Sequence, residues 1–127
     1  MNMQGHRSLK VYQLTFQLAM KIFTLTKNFP KEERYSMTDQ VRRSSRSVAA
    51  NIVEGYRKRQ YPKMFVSKLA DLDAEATESI VWLEFAIASH YLLQIDFDEL
   101  QSGYDEVGRI LGGMMAHPEK FTPRSHS

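Results

Sequence analysis

Apolar residues recur along this chain at helical spacing almost from its start. Leu9, Tyr12, Phe16, Ala19 and Phe23 follow one another at intervals of three and four, close to a heptad. A second stripe, Val11, Leu14, Leu18, Ile22 and Leu25, runs beside the first. Together they predict a first helix over about residues 8–28. Its apolar arc is wider than one helix contact requires, so two neighbours or a partner subunit are expected to cover it. Pro30 lacks an amide proton and disfavours helical geometry at Phe29, which ends the helix near Lys27 to Phe29.

Three further helices follow from the same reasoning. Ser36-Met37-Thr38-Asp39 resembles a capping box and predicts a second helix over about 36–56. Pro62 suits a first helical turn, where its missing donor costs little. From there Phe65, Leu69, Leu72, Ala76, Leu83 and Ile87 carry a third helix to about Tyr91, roughly 45 Å long at 1.5 Å per residue. Asp96 as N-cap with Glu99 three residues on opens a fourth, whose stripe is Phe97, Leu100, Tyr104, Val107, Leu111 and Met114. It is expected over about 96–116, stopped by Pro118, with residues 117–127 a flexible tail. No strand pattern, internal repeat or linker is evident. The expectation is an all-α bundle forming one domain over residues 1–127.

The second helix carries the most informative run, Arg42 to Arg59. At about 100° per residue, Arg42, Arg43, Arg46 and Arg57 share roughly one third of the circumference, while Val41, Ser45, Val48 and Ile52 form a core face. A third strip of Ser44, Val48, Asn51 and Gly55 is mostly small, which suits close approach of a neighbouring helix. Asn51 is expected to hydrogen-bond across that interface and fix register, and Glu54 to pair with a nearby base. Gly55 is either a close-packing site or the start of the helix end.

Charge changes this picture. The net charge of +2 conceals 14 basic against 4 acidic residues over 1–68, a balance of +10, and 3 against 11 over 69–127, a balance of −8. Either the halves neutralise each other by packing, within or between subunits, or the basic half offers an anion-binding surface. With 127 residues and no cysteine, the chain has the size of one ordinary domain and excludes disulfides, thiolate metal sites and thiol nucleophiles. No apolar run reaches the roughly 18 residues of a membrane span, and Met1 to Lys10 lacks the apolar core of a secretory signal. A cytoplasmic protein without membrane partners is expected.

Catalytic patterns are sparse. A carboxylate-bridged dimetal site in a bundle needs Glu-x-x-His pairs on two helices, and Glu75 and Glu78 lack the histidines. His90 is an isolated histidine near a helix end, where structural or solvated roles prevail. A helical ribonuclease would pair Arg109 with His117, but Pro118 puts that histidine at a fraying end. Gly112-Gly113 lacks the strand and lysine of a phosphate loop and is expected to permit close packing or mark a weak last turn. No enzyme, metal or cofactor is expected.

The run Ser47-Val48-Ala49-Ala50-Asn51-Ile52-Val53-Glu54-Gly55, preceded by Gln40-Val41-Arg42-Arg43-Ser44-Ser45, resembles the signature segment of the four-helix bundle proteins encoded in 23S rRNA intervening sequences. Leu9-Lys10-Val11-Tyr12 and Phe29-Pro30-Lys31-Glu32-Glu33-Arg34-Tyr35 are similar to that family too, so the resemblance covers most of residues 8–116. It implies an up-and-down four-helix bundle, a ring-shaped homopentamer, and proposed nucleic-acid binding with no enzymatic activity. Related accessory variability proteins of diversity-generating retroelements bind nucleic acid and a reverse transcriptase, so the resemblance implies RNA or DNA, a reverse transcriptase and further copies of the chain as partners. Val53 stands where the family has Ala, and Arg57-Lys58-Arg59 is more basic than the family pattern.

Two functions therefore compete. In one, Arg42, Arg43, Arg46, Arg57, Lys58, Arg59 and Lys63 contact phosphates without reading sequence, with Tyr56 and Tyr61 available to stack on bases. In the other, the basic half of one subunit meets the acidic half of the next in a protein-interaction scaffold.

Overall fold

The computed structural model describes residues 5–121, in which four α-helices run as α1 (Lys10–Thr26), α2 (Asp39–Arg57), α3 (Pro62–Ala88) and α4 (Gln94–Ala116). Among the described residues there is no strand. Each helix packs against its sequence neighbours, and α4 returns to α1, closing an up-and-down bundle. The connections Lys58–Tyr61 and Ser89–Leu93 are short enough to force antiparallel reversal.

The helix starts differ from the expected ones. Ser36 does not cap α2: its hydroxyl donates backwards to Glu33 Oε1 at 2.6 Å. The chain is already helical there, passing from a 3-10 turn (Lys31–Glu33) through a π-turn (Arg34–Thr38) into α2. Asp39 N–H donates to the Arg34 carbonyl, so the preceding turns satisfy amides that a side-chain cap would otherwise serve. Likewise Asp96 is no cap: α4 begins at Gln94 after an extended Leu93, and Asp96 lies in the first turn, where a carboxylate suits the helix dipole.

At the other end of the bundle α3 closes three residues earlier than Tyr91. His90 adopts φ 64°, Tyr91 N–H reaches the Ala86 carbonyl at 2.9 Å and His90 N–H that of Ile87 at 3.0 Å. This is a Schellman closure with histidine in the left-handed position usually given to glycine. The tail expected to fray from 117 instead makes a 3-10 turn (Pro118–Lys120), and Phe121 sets its ring 5.8 Å from that of Phe65. The remaining tail residues, 122–127, lie outside the described residues.

Inside, Val11, Leu18 and Ile22 of α1, Val41, Val48 and Ile52 of α2, Phe65, Leu69, Leu72 and Leu83 of α3, and Leu100, Val107 and Leu111 of α4 are buried in one core. Each large side chain so buried contributes about 1.5–3 kcal/mol. The second α1 stripe buries Val11, Leu18 and Ile22 in this core, whereas Leu9 and Tyr12 of the first pack against it only partly buried. In the first, Ala19 is buried but Phe16 is half exposed, and Met20 beside it is open as well. The gap in the α3 stripe between Ala76 and Leu83 is filled by buried Ser79, whose hydroxyl lies 2.8 Å from that of Ser44 on α2. The buried Tyr104 hydroxyl lies beside Ser79 without completing a hydrogen bond, and burial pushes its pKa well above the ordinary phenol value.

Candidate nucleic-acid interface

Helix α2 turns Val41, Ser45, Val48 and Ile52 inward, as their spacing requires, and thereby carries its arginines on the outer side. They do not behave alike. Arg42 folds onto the end of α1: Nε donates to Thr26 Oγ1 at 2.7 Å, a terminal nitrogen reaches the Phe23 carbonyl at 3.4 Å, and the guanidinium stands 4.7 Å from the Phe23 ring centre. A cation there satisfies carbonyls at a helix C-terminus and favours the dipole. Arg46 lies over the same ring at 5.5 Å but is exposed, and Arg43, also exposed, donates to Gln40 Oε1 at 2.9 Å.

These three arginines border an open hollow of about 800 Å³, completed by Tyr35, Asp39, Gln40, Ser47 and Ala50. Tyr35 is not among the candidate binding residues that spacing on α2 points to, because a helix start at Ser36 leaves it outside the helix. The available signal was its spacing: Tyr35, Asp39 and Arg43 recur every four residues. The continuous helical turns from Lys31 give that spacing a common side.

The other four cations gather elsewhere, at the corner between α2 and α3. Arg57 lies on the same side of α2 as Arg46 but about 16 Å further along the axis. Arg59 stacks on Tyr56 at 4.0 Å and donates to its carbonyl at 2.9 Å. Lys58 faces Glu54 at 3.6 Å. Lys63, in the first turn of α3, is exposed and borders a smaller hollow with Lys58, Met64, Ser67, Lys68 and Asp71. The seven cations therefore form two patches instead of one stripe. Tyr56 is occupied by Arg59, whereas Tyr61 is exposed.

The small strip is architectural. Ser44 bridges to α3 through Ser79, and Gly55 lies against α3, where an added Cβ would meet Lys68 carbons at 3.4 Å. Glu54 pairs with Lys68 of α3 at 3.4 Å as well as with Lys58. Asn51 departs from expectation: its amide donates within its own helix, to the Ser47 carbonyl at 2.9 Å and hydroxyl at 3.0 Å, and so does not bridge helices.

Among the described residues, lysines of the basic half meet carboxylates of the acidic half between α1 and α4. Lys10 pairs with Glu106 at 3.0 Å, and Lys21 pairs with Asp96 at 3.7 Å and with Glu99, joining α1 to α4. Among the described residues no carboxylate comes within ion-pair distance of Arg42, Arg43 or Arg46.

Other candidate chemistry disperses. His117 lies beyond α4, exposed, with Nδ1 3.3 Å from Glu119 Oε1, so a carboxylate and not Arg109 meets that nitrogen. Gly112 and Gly113 face open space, which removes their close-packing role within the subunit. Among the described residues no group of three or more carboxylates or histidines is arranged to hold a metal ion, and no helix is long and apolar enough to cross a membrane.

The model of the 23S rRNA-intervening sequence protein family matches residues 7–113. The chain belongs to that family. A solved structure of a protein of unknown function from the S23 ribosomal protein family of Bacteroides thetaiotaomicron superposes with TM-score 0.72 at 25% identity, covering 83% of this chain and 97% of that one. No curated protein matches the chain. Within the matched span, α2 packs on α3 while Arg43 and Arg46 are exposed.

Proposed function

We propose that this intervening-sequence family protein is a non-enzymatic, self-associating bundle that binds nucleic acid through the outer side of α2, with little regard to sequence. What carries the reading is the contrast between its cations. Lysines of α1 are paired with α4 carboxylates, whereas Arg43 and Arg46 remain exposed beside an open hollow with no carboxylate paired to them. Such arginines suit phosphate oxygens, and each phosphate neutralised releases counterions. The corner cations Arg57, Lys58, Arg59 and Lys63 extend the electrostatic footprint. Family membership supports an RNA-linked setting, and the resemblance supports a pentameric ring and a reverse transcriptase as a further partner.

Titrating labelled RNA and DNA between about 50 and about 200 mM salt tests this reading. Binding at low salt that weakens steeply with salt is expected; no binding at low salt, or binding indifferent to salt, overturns it.

The scaffold reading has its own observation. Asp71 and Glu84 of α3 are exposed and unpaired among the described residues, and could receive the basic face of another copy. Charge reversal at Arg43 and Arg46 separates the two, sparing Arg42 because of its contact with α1. Intact assembly with lost RNA binding supports the nucleic-acid reading, and lost assembly supports the scaffold.

A further inference from the structure

The hollow on α2 has a chemical polarity that a uniform phosphate-binding stripe would lack. At one end stand the Tyr35 ring, 73% exposed, and the Asp39 carboxylate; at the other stand Arg43 and Arg46. Arg34 holds its guanidinium 5.4 Å from the Tyr35 ring centre, backing the ring with a cation while leaving most of the residue open to solvent. Gln40 lies between these groups, and Ser47 and Ala50 continue the lining along α2 beyond Arg46. Along the axis, Asp39 precedes Arg43 by about 6 Å and Arg46 by about 10 Å. The volume, about 800 Å³, falls in the range of about 300–1,000 Å³ that accommodates small organic groups.

A phosphate backbone laid evenly along this hollow would bring an anion against Asp39. A duplex also keeps its bases stacked on one another, so it offers Tyr35 no open π-face. A single strand satisfies both ends: a splayed base stacks on Tyr35 while the adjoining phosphates meet Arg43 and Arg46. Asp39 then selects among bases, because a carboxylate accepts hydrogen bonds from an exocyclic amine, as with the N4 amine of cytosine, and repels a carbonyl oxygen at the same place.

Resting on the nucleic-acid reading above, we propose that the α2 hollow is a single-strand site that takes one unstacked base between Tyr35 and Asp39, with its flanking phosphates on Arg43 and Arg46, and that it favours amine-bearing bases over uracil.

Fluorescence anisotropy with short labelled cytidine and uridine homopolymers, and with a duplex of matching length, tests the proposal on the full chain. Wild type is expected to bind single strands more tightly than duplex, and the cytidine strand more tightly than the uridine strand. Tyr35→Ala is expected to weaken single-strand binding by about 5- to 150-fold, the range of one lost stacking contact, and to leave duplex binding unchanged. Tyr35→Phe should restore it, and Asp39→Asn should erase the cytidine preference. Because Tyr35 is exposed, circular dichroism should show the Ala variant folded as wild type. If Arg43→Ala with Arg46→Ala weakens every probe while Tyr35→Ala weakens none, the phosphate-binding reading stands and the single-strand site is overturned. If wild type binds no probe at low salt, both readings fall.

Discussion

Arg42 and Phe23 are bound as a clamp: the guanidinium stands 4.7 Å from the ring centre, and a terminal nitrogen reaches the Phe23 carbonyl at 3.4 Å. With the 2.7 Å bond to Thr26, this fastens the N-terminal half of α2 to the end of α1. The arginine that opens the basic run is thus committed to architecture, while its neighbours at 43 and 46 are exposed.

Arg42→Ala is therefore expected to destabilise the protein by about 1–3 kcal/mol, from the lost cation–π contact and charge-assisted hydrogen bonds. Arg42→Lys should recover only part of it, since an ammonium cannot reproduce the planar fork. Arg43→Ala, on an exposed side chain, should lie within about 0.5 kcal/mol of wild type. Urea denaturation of the three variants measures the difference, and equal losses at Arg42 and Arg43 would refute the clamp.

Tyr104 carries an alkaline liability. Its folded-state pKa is raised, chiefly by burial, so the group favours the fold while protonated. That contribution is complete below the unfolded value near 10 and is lost as pH rises above it, at up to about 1.4 kcal/mol per pH unit. Tyr104→Phe also deletes a buried hydroxyl without a partner, so it should be neutral or stabilising by up to about 1 kcal/mol at pH 7. Thermal melts at pH 7 and above pH 10 should show the variant less alkali-sensitive than wild type; identical alkaline profiles would exclude Tyr104 as the cause.

Ser44 and Ser79 should be energetically coupled. Each Ala substitution is expected to cost about 1 kcal/mol, and the double variant less than the two together, because the 2.8 Å contact is lost only once. Strict additivity in a double-mutant cycle would show the hydroxyls acting independently through their own-helix bonds to Val41 and Glu75.

Glycine positions on α4 should respond oppositely. A Cβ at Gly103 would stand 2.5 Å from Leu18 Cδ2, so Gly103→Ala must displace a buried leucine and is expected to cost about 1–3 kcal/mol. Gly108 and Gly112 face open space, and Ala at either should add about 0.5–1 kcal/mol through lower unfolded-chain entropy. Loss of assembly in the Gly108→Ala and Gly112→Ala variants, read by sedimentation, would mark this face as a contact between copies.

His90→Gly is expected to stabilise by about 1 kcal/mol, since φ 64° strains any residue with a Cβ. Destabilisation on urea denaturation would mean that the imidazole makes a compensating contact.

The sequence by itself determined the four helices, the inward face of α2 and a small-residue strip suited to a neighbouring helix, which the structure identifies as α3. Helical period is written in spacings of three and four residues, and a run of such spacings survives any tertiary arrangement. Pro30 and Pro62 set boundaries for the same local reason. The connector from Lys31 to Thr38 was less legible, because a 3-10 turn running through a π-turn into α2 satisfies its amides from the backbone and needs no capping side chain. Only the tertiary structure decided which α1 stripe enters the core, since both have equal period and the choice depends on where α2 and α4 lie. It also decided the fate of each cation. An arginine side chain is long enough to reach a neighbouring helix, so Arg42 found the α1 end, while Arg43 and Arg46, one residue and one turn away, stayed outside beside Tyr35. Which charges remain free is a property of neighbours brought together from distant parts of the chain, and spacing along the chain does not encode it.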